Sequence, residues 1–95
     1  MTEQFDYLAV THCDVFPFKS GFSVEMKALA TVVINDQLIL RGLRVMNTEN
    51  GPYVAYPNDP FYKGEDYHSL FTPITRQLRD HIEAVVLEKY AEVTK

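Results

Sequence analysis

The sequence predicts an α+β fold: a small twisted antiparallel β-meander packed against a C-terminal α-helix. Three observations predict it. Phe22, Val24, Met26, Ala28, Ala30, Val32 and Ile34 form an unbroken apolar series at period two, the pattern of a long strand with one buried face. Asn35-Asp36 and the run Asn47 to Pro52 carry turn chemistry on either side of a second apolar segment. From Ile74 onward the apolar residues recur at helical spacing instead.

Taken in order, Phe5 to Val10 is a short apolar segment that reads as a first strand. Phe16-Pro17-Phe18-Lys19-Ser20-Gly21 reads as an irregular link or an edge, because proline cannot donate to a sheet ladder. The long strand Phe22 to Ile34 follows. Asn35-Asp36 turns the chain, and Gln37 to Met46 returns as the hairpin partner. After the second turn, Tyr53 to Tyr56 makes a short third arm, completing a meander. Within the second arm, Leu38 and Leu40 share one parity, and Leu43 and Val45 the other. One extra residue near Gly42 would bring all four to the core and turn both Arg41 and Arg44 to solvent, so a bulge is expected there. Pro57 to Phe71 is a long polar and aromatic link, within which Tyr67 to Phe71 has the look of a short extra strand. Thr72 is the expected N-cap and Pro73 the first helical residue. Ile74, Leu78, Ile82, Val85, Val86 and Val93 form the helix stripe, Tyr90 lies at its margin, and Leu87 projects roughly opposite. The expected core is Val24, Met26, Ala28, Ala30, Val32, Leu38, Leu40, Ile74, Leu78, Ile82 and Val85.

With 95 residues, 46% hydrophobic and 23% charged, the chain reads as one ordinary globular domain, residues 1–95, with the sheet at about 5–71 and the helix at about 73–92. A single cysteine, Cys13, excludes an internal disulfide. No apolar run approaches the ~20 residues of a membrane span, and the start Met1-Thr2-Glu3-Gln4 is unlike a signal peptide. The expected compartment is the cytoplasm, with no membrane partner. Nine basic against thirteen acidic residues give a net charge of −4, which is not the strongly basic balance of a simple nucleic-acid binder. It leaves room for a local basic patch on an acidic body.

Five blocks carry a family resemblance: Lys27-Ala28-Leu29-Ala30-Thr31-Val32-Val33, Gly42-Leu43-Arg44-Val45-Met46, Asn50-Gly51-Pro52-Tyr53-Val54-Ala55-Tyr56-Pro57, Pro73-Ile74-Thr75, and Leu78-Arg79 through Val85-Val86-Leu87 to Tyr90. In this order they resemble the stage V sporulation protein G family, SpoVG, over about Lys27 to Tyr90. Val15-Phe16-Pro17-Phe18-Lys19 also looks like the family's first strand and its exit. The resemblance implies a small antiparallel sheet with a C-terminal helix, a homodimer, binding of DNA or RNA, and a regulatory role in septation and sporulation. One departure matters. The basic pair that family members usually carry after the Met-Pro step falls here on Asp59-Pro60, and the histidine before the helix proline is Thr72. Phosphate contact needs lysine or arginine where the backbone passes, so this weakens the nucleic-acid implication and leaves the fold implication intact.

The candidate nucleic-acid contacts are Arg76, Arg79, Lys63, Arg41, Arg44 and Lys27. Arg76 and Arg79 are three apart near the helix start and share a side; the competing role is a solvated face with Arg76–Asp80 and Arg79–Glu83 ion pairs. Lys27, Arg41 and Arg44 would form a basic stripe on the open sheet face, or else ordinary solubilising charge. Phe61, Tyr62 and Tyr67 flank Lys63 and suit base stacking, or pin the link to the sheet or to a second subunit. His12, Cys13 and Asp14 are adjacent in an extended segment and point to alternate faces, so they do not chelate together. No catalytic residue, metal site or cofactor is expected, and no small-molecule substrate is implied. Two functions follow: a nucleic-acid-binding regulatory homodimer, or a protein-interaction module that kept the fold and lost nucleic-acid binding. A short meander has two open edges, and pairing across a two-fold axis would close one of them, with the link aromatics and Leu87 as contacts.

Overall fold

Asn35 and Asp36 hold φ of 51° and 56°, the left-handed conformation that a tight hairpin turn demands and that these residue types tolerate. Gln37 N–H donates to the Ile34 carbonyl at 2.9 Å and closes the turn. The computed structural model describes residues 8–18, 26–64 and 68–94. On either side of the turn run β2 (Met26–Ile34) and β3 (Leu38–Thr48). β1 (Val10–Pro17) pairs with the far side of β2, and β4 (Gly51–Ala55) with the far side of β3. The sheet is antiparallel throughout in the order β1-β2-β3-β4. Among the described residues one helix, α1 (Arg76–Val93), packs on one face. The fold is α+β, as the sequence predicts.

The expected bulge is present. Ala30 pairs with Leu43 and Val32 with Leu40, so two steps on β2 face three on β3. Gly42 sits within that extra step at φ 89°. A Cβ there would stand 3.5 Å from Pro57 Cβ, ordinary contact distance, so backbone conformation rather than space requires glycine. Leu43 and Val45 are fully buried and Leu40 packs against them. Arg41 is exposed, whereas Arg44 is half-buried and its Nη2 donates to the Tyr56 carbonyl at 3.2 Å, short of the full exposure expected of it. A second irregularity falls at Lys27, between the Met26–Met46 and Ala28–Val45 pairs.

The first strand corrects the sequence reading. Of Phe5 to Val10, only Val10 is in a strand; Leu8 and Ala9 precede it, and the rest lies outside the described residues. β1 instead runs through Phe16 and Pro17 at the edge of the sheet, the edge alternative of that segment's reading and the place where the family resemblance puts the first strand. Phe18 N–H bonds the Lys27 carbonyl at 2.9 Å, so by strand alternation Pro17 directs its missing donor away from β2 and the ladder loses nothing. Phe22 and Val24 lie outside the described residues.

The helix begins three residues later than expected. Thr75, extended at φ −105° and ψ 145°, is the N-cap, and its hydroxyl accepts from Leu78 N–H at 3.2 Å. Thr72 and Pro73 precede it. Pro73 is buried and its carbonyl takes Arg79 Nη2 at 3.1 Å. Ile74 is therefore outside the helix and 93% exposed. Ile82 and Val86 are buried, Leu78, Leu87 and Tyr90 pack around them, Val85 is half-buried and Val93 is 41% exposed. Leu87 does not project away from the core: its neighbour one turn back, Glu83, accepts from Val54 N–H at 3.4 Å, and this flank of the helix lies along β4. On the other flank His81 Nε2 accepts from Val10 N–H at 3.0 Å, which requires the neutral imidazole. The helix thus spans the sheet from one edge strand to the other.

The core consists of Val15, Ala28, Ala30, Val32, Ile34, Leu43, Val45, Val54, Tyr56, Ile82 and Val86. Of the expected members, Ile74 and Leu38 are exposed, Leu38 next to the hairpin turn at 53%, and Met26, Leu40, Leu78 and Val85 are half-buried around the core rather than in it. Tyr56 packs edge-on against Phe71, ring centroids 6.1 Å apart. Burial, and then the Glu83 carboxylate, push the Tyr56 phenol above its ordinary range, with Arg79 pulling the other way.

Two outcomes follow. Ile82→Ala should lower the unfolding free energy by about 2–5 kcal/mol, while Ile74→Ala should stay within about 0.5 kcal/mol; urea titrations of both variants check this, and equal losses would mean that the helix docks by another face. The raised Tyr56 phenol means that the unfolded chain ionises first, so its contribution is intact below about pH 10 and falls as pH rises through the folded value. Tyr56→Phe should flatten the decline of stability above about pH 10, read from thermal melts across that range.

Candidate nucleic-acid interface

Three of the six candidate cations come together, and three do not. Arg44, on β3, reaches the outer edge of β4 through its bond to the Tyr56 carbonyl. Arg79, on the first turns of α1, is held by the Pro73 carbonyl. Both line a cleft of about 700 Å³ between β4, the link and the helix, with Asn58, Ser69, Thr72 and Glu83 as its other polar walls. Tyr53 and Tyr56 supply aromatic surface. Arg79 also borders a second cleft of about 390 Å³ at the helix start, shared with Ile74, Thr75, Arg76 and Asp80. Arg79 is therefore common to both, and Arg44, Arg79 and Arg76 follow one another around this corner of the molecule.

Lys63 is exposed in the link, Arg41 is exposed at the bulge and Lys27 is half-buried on β2; none of them lines either cleft. Arg44, paired with Leu29 on the sheet face away from the helix, also bonds the Tyr56 carbonyl. The ion pairs expected to neutralise the helix arginines are also absent: among the described residues the ion pairs are His12–Asp36, His68–Asp59 and Lys89–Glu92. A guanidinium that bonds one neutral carbonyl keeps its charge and its remaining donors.

The link has its own order. Asn58 and Ser69 form an isolated antiparallel bridge. Asp59 N–H donates to the His68 carbonyl at 2.8 Å, and Leu70 N–H to that of Pro57 at 2.9 Å. The Asp59 carboxylate accepts from Phe61 N–H at 2.9 Å and faces His68 Nδ1 at 3.6 Å. Tyr62 lies over the His68 ring with centroids 4.3 Å apart. Asp59, at the position where the resemblance implies a basic residue, thus closes the link. The extra strand expected over Tyr67 to Phe71 is reduced to the Ser69 bridge, with Tyr67 outside the described residues. Of the link aromatics, Phe61 is 86% exposed and Phe71 is packed.

The bridge brings Ser69 beside Asn58, and the later helix start frees Thr72 to face the cleft. Sequence reading gave none of these three a site role. The one available signal was the pair of threonines, Thr72 and Thr75, of which only one can cap.

His12 and Asp14 are exposed while Cys13 turns inward. The Cys13 thiol is pushed up by burial and by Asp14, against an opposing pull from Lys89; a raised thiol is a poor nucleophile at neutral pH. Among the described residues no group of three metal-binding side chains occurs, and no helix is long and apolar enough to cross a membrane.

Comparison with known proteins gives a consistent picture. The family model SpoVG matches residues 8–92. A relative from Archaeoglobus fulgidus that bears the SpoVG septation-protein name is 32% identical over 75 residues, 79% of this chain and 87% of its own. Relatives of the same name from Fusobacterium nucleatum and Brevibacillus brevis are 35% and 34% identical, covering 68% and 72% of this chain and 69% and 70% of their own. A match running from β1 through nearly all of α1 takes in every element described above, and this chain belongs to the SpoVG family.

Proposed function

We propose that this protein is a nucleic-acid-binding regulator, acting as a homodimer in a septation- or sporulation-linked role of the kind its relatives' name carries. The observation that supports binding is the convergence of Arg44, Arg79 and Arg76, from two elements far apart in sequence, with no acidic ion-pair partner among the described residues. On a chain of net charge −4 such a corner gives local attraction to phosphate and leaves the rest of the surface repulsive. The role is regulatory rather than catalytic.

The dimer reading rests on the face of the sheet opposite α1. Phe16 pairs with Leu29, and Val33 with Ile39, so these four share that face. Phe16, Leu29 and Ile39 are 57%, 40% and 44% exposed. Asp14 and Thr31 lie between the two apolar pairs and Arg44 pairs with Leu29 on the same face; exposed apolar side chains within a polar surround suit an interaction surface, and a second copy related by a two-fold axis would cover its own equivalent. Edge pairing through β4 is disfavoured, because Pro52 has no N–H and Val54 N–H is taken by Glu83. Leu87 is already packed in the core and is no longer a contact in this arrangement.

Two measurements test these readings. Two or three phosphates neutralised per subunit give a log–log salt slope of roughly −4 to −5 for a dimer on duplex DNA. Replacing Arg76 and Arg79 together by alanine should weaken binding and flatten that slope, at a stability cost of about 1 kcal/mol from the lost Pro73 bond. If the parent binds neither DNA nor RNA at low salt, the protein-interaction reading replaces this one. In sedimentation at about tens of micromolar, the parent should run as a dimer and Leu29→Lys as a folded monomer; a monomeric parent rejects the dimer.

A further inference from the structure

The cleft beside β4 has the composition of a phosphate site. Two guanidiniums border it from different elements, Arg44 on β3 and Arg79 on α1, and Asn58, Ser69 and Thr72 add an amide and two hydroxyls on the link side. Each arginine is anchored through one Nη2 to a neutral main-chain carbonyl, Arg44 at 3.2 Å and Arg79 at 3.1 Å. Anchoring fixes the planar groups without neutralising them, and it costs an incoming anion less side-chain ordering. Among the described residues one acidic group, Glu83, shares the cleft, and its Oε1 is engaged by Val54 N–H. The described lining therefore carries one net positive charge. Tyr53, 42% exposed on the same wall, offers a ring beside the charged groups. A volume of about 700 Å³ is room for a phosphate with an attached sugar and base, not only for a small ion.

We propose that this cleft is a phosphate subsite that takes one backbone phosphate of a bound nucleic-acid strand between Arg44 and Arg79, with the adjoining base against Tyr53. This deepens the nucleic-acid reading and rests on it for the identity of the ligand, while the phosphate chemistry itself rests on the cleft alone. Glu83 sets the affinity: its carboxylate opposes the anion, yet a glutamine at this position would keep the acceptor for Val54 N–H and remove the charge. An acidic Asp59 in the link is compatible with this, since the cleft draws its cations from the sheet and the helix.

The test uses the full chain, labelled with nitrogen-15. Sodium phosphate is titrated against sodium chloride at matched ionic strength. Shifts should concentrate on Asn58, Ser69, Thr72 and the guanidinium signals of Arg44 and Arg79, and saturate at about millimolar phosphate. Arg44→Gln should weaken phosphate binding about tenfold or more, the worth of a charge-assisted hydrogen bond. Glu83→Gln should tighten it about threefold. Should Arg44→Gln fail to fold, Arg44→Lys and Glu83→Gln carry the comparison, the first keeping the charge and the second the edge contact. Shifts spread equally over Lys27, Arg41 and Lys63, or reproduced by chloride, overturn the subsite. A second arm measures a short single-stranded oligonucleotide and a mononucleotide. An oligonucleotide affinity at least about tenfold lower in Arg44→Gln, with a salt slope reduced by about 1, supports the subsite. Parent-like oligonucleotide binding in that variant overturns the subsite and leaves the nucleic-acid reading standing. Saturable phosphate and mononucleotide binding with no oligonucleotide bound overturns the strand as the ligand and assigns the cleft to a small phosphorylated molecule.

Discussion

The two outer strands of the sheet are each tied to the helix by a side-chain acceptor. His81 takes the Val10 N–H of β1 and Glu83 takes the Val54 N–H of β4. The rest of the architecture follows from that pair of bonds. A four-stranded sheet covered by one helix has too little apolar cover unless the helix crosses all of it. Bonds at both ends fix that crossing, and between them Ile82 and Val86 drop onto Ala28, Ala30, Val32, Leu43 and Val45. Alanines on β2 and valines on α1 are the sizes that let a helix approach a sheet closely. Both acceptors lie on the same turn of the helix, two residues apart, so they face opposite flanks, and each satisfies a donor that an edge strand otherwise leaves to water or to another chain.

The sheet can meet this helix with a continuous apolar face only because its registers are broken on purpose. A one-residue change of parity moves every later side chain to the opposite face. The extra residue at Gly42 makes that change within β3, which is why Leu40 and Leu43 both contribute to the core despite their odd spacing. This feature was legible in sequence, since the parity switch and the glycine fall together. The period-two series into Asn35-Asp36 was legible for the same kind of reason: each depends on local backbone preference and on one face being apolar. The helix start was not. Thr72-Pro73 and Thr75 both satisfy local capping rules; in the fold Thr75 caps through Leu78 N–H, and the Pro73 carbonyl before it is taken by Arg79, a contact that local rules do not contain. The first strand was misplaced because a proline reads as a break, whereas an edge position with its donor side outward tolerates one.

The candidate site was legible in its parts and not in its assembly. Arg44, Arg76 and Arg79 stand out in any reading of a chain with nine basic residues. What joins them is the approach of β3 to α1 around the β4 edge, a contact between segments more than thirty residues apart. Lys27 and Arg41 are close to Arg44 in sequence or across strands, and yet neither lines the cleft that Arg44 borders. Asn58 and Ser69 meet only because the link folds back on itself through the bonds of Asp59 and Leu70. Asp59 supplies the acceptor that caps Phe61 and faces His68, so the link gains internal order from its own carboxylate.

Glu83 is where stability and binding pull against each other. Its carboxylate guards the β4 edge through Val54 and, in the same position, lowers the positive charge of the cleft between Arg44 and Arg79. It also helps to hold the Tyr56 phenol protonated, which keeps a buried ring neutral in the core. A neutral acceptor would serve the edge equally well, so the charge itself acts on the cleft. With two arginines and one carboxylate, attraction to phosphate is real but small, and at physiological salt, where the Debye length is about 8 Å, it does not extend beyond the cleft. Binding built this way is selective for contact at close range over long-range accumulation of anions. On a protein of net charge −4 the distant field opposes a phosphate, and the fixed guanidinium donors of the proposed subsite would recover that cost within the last few ångströms.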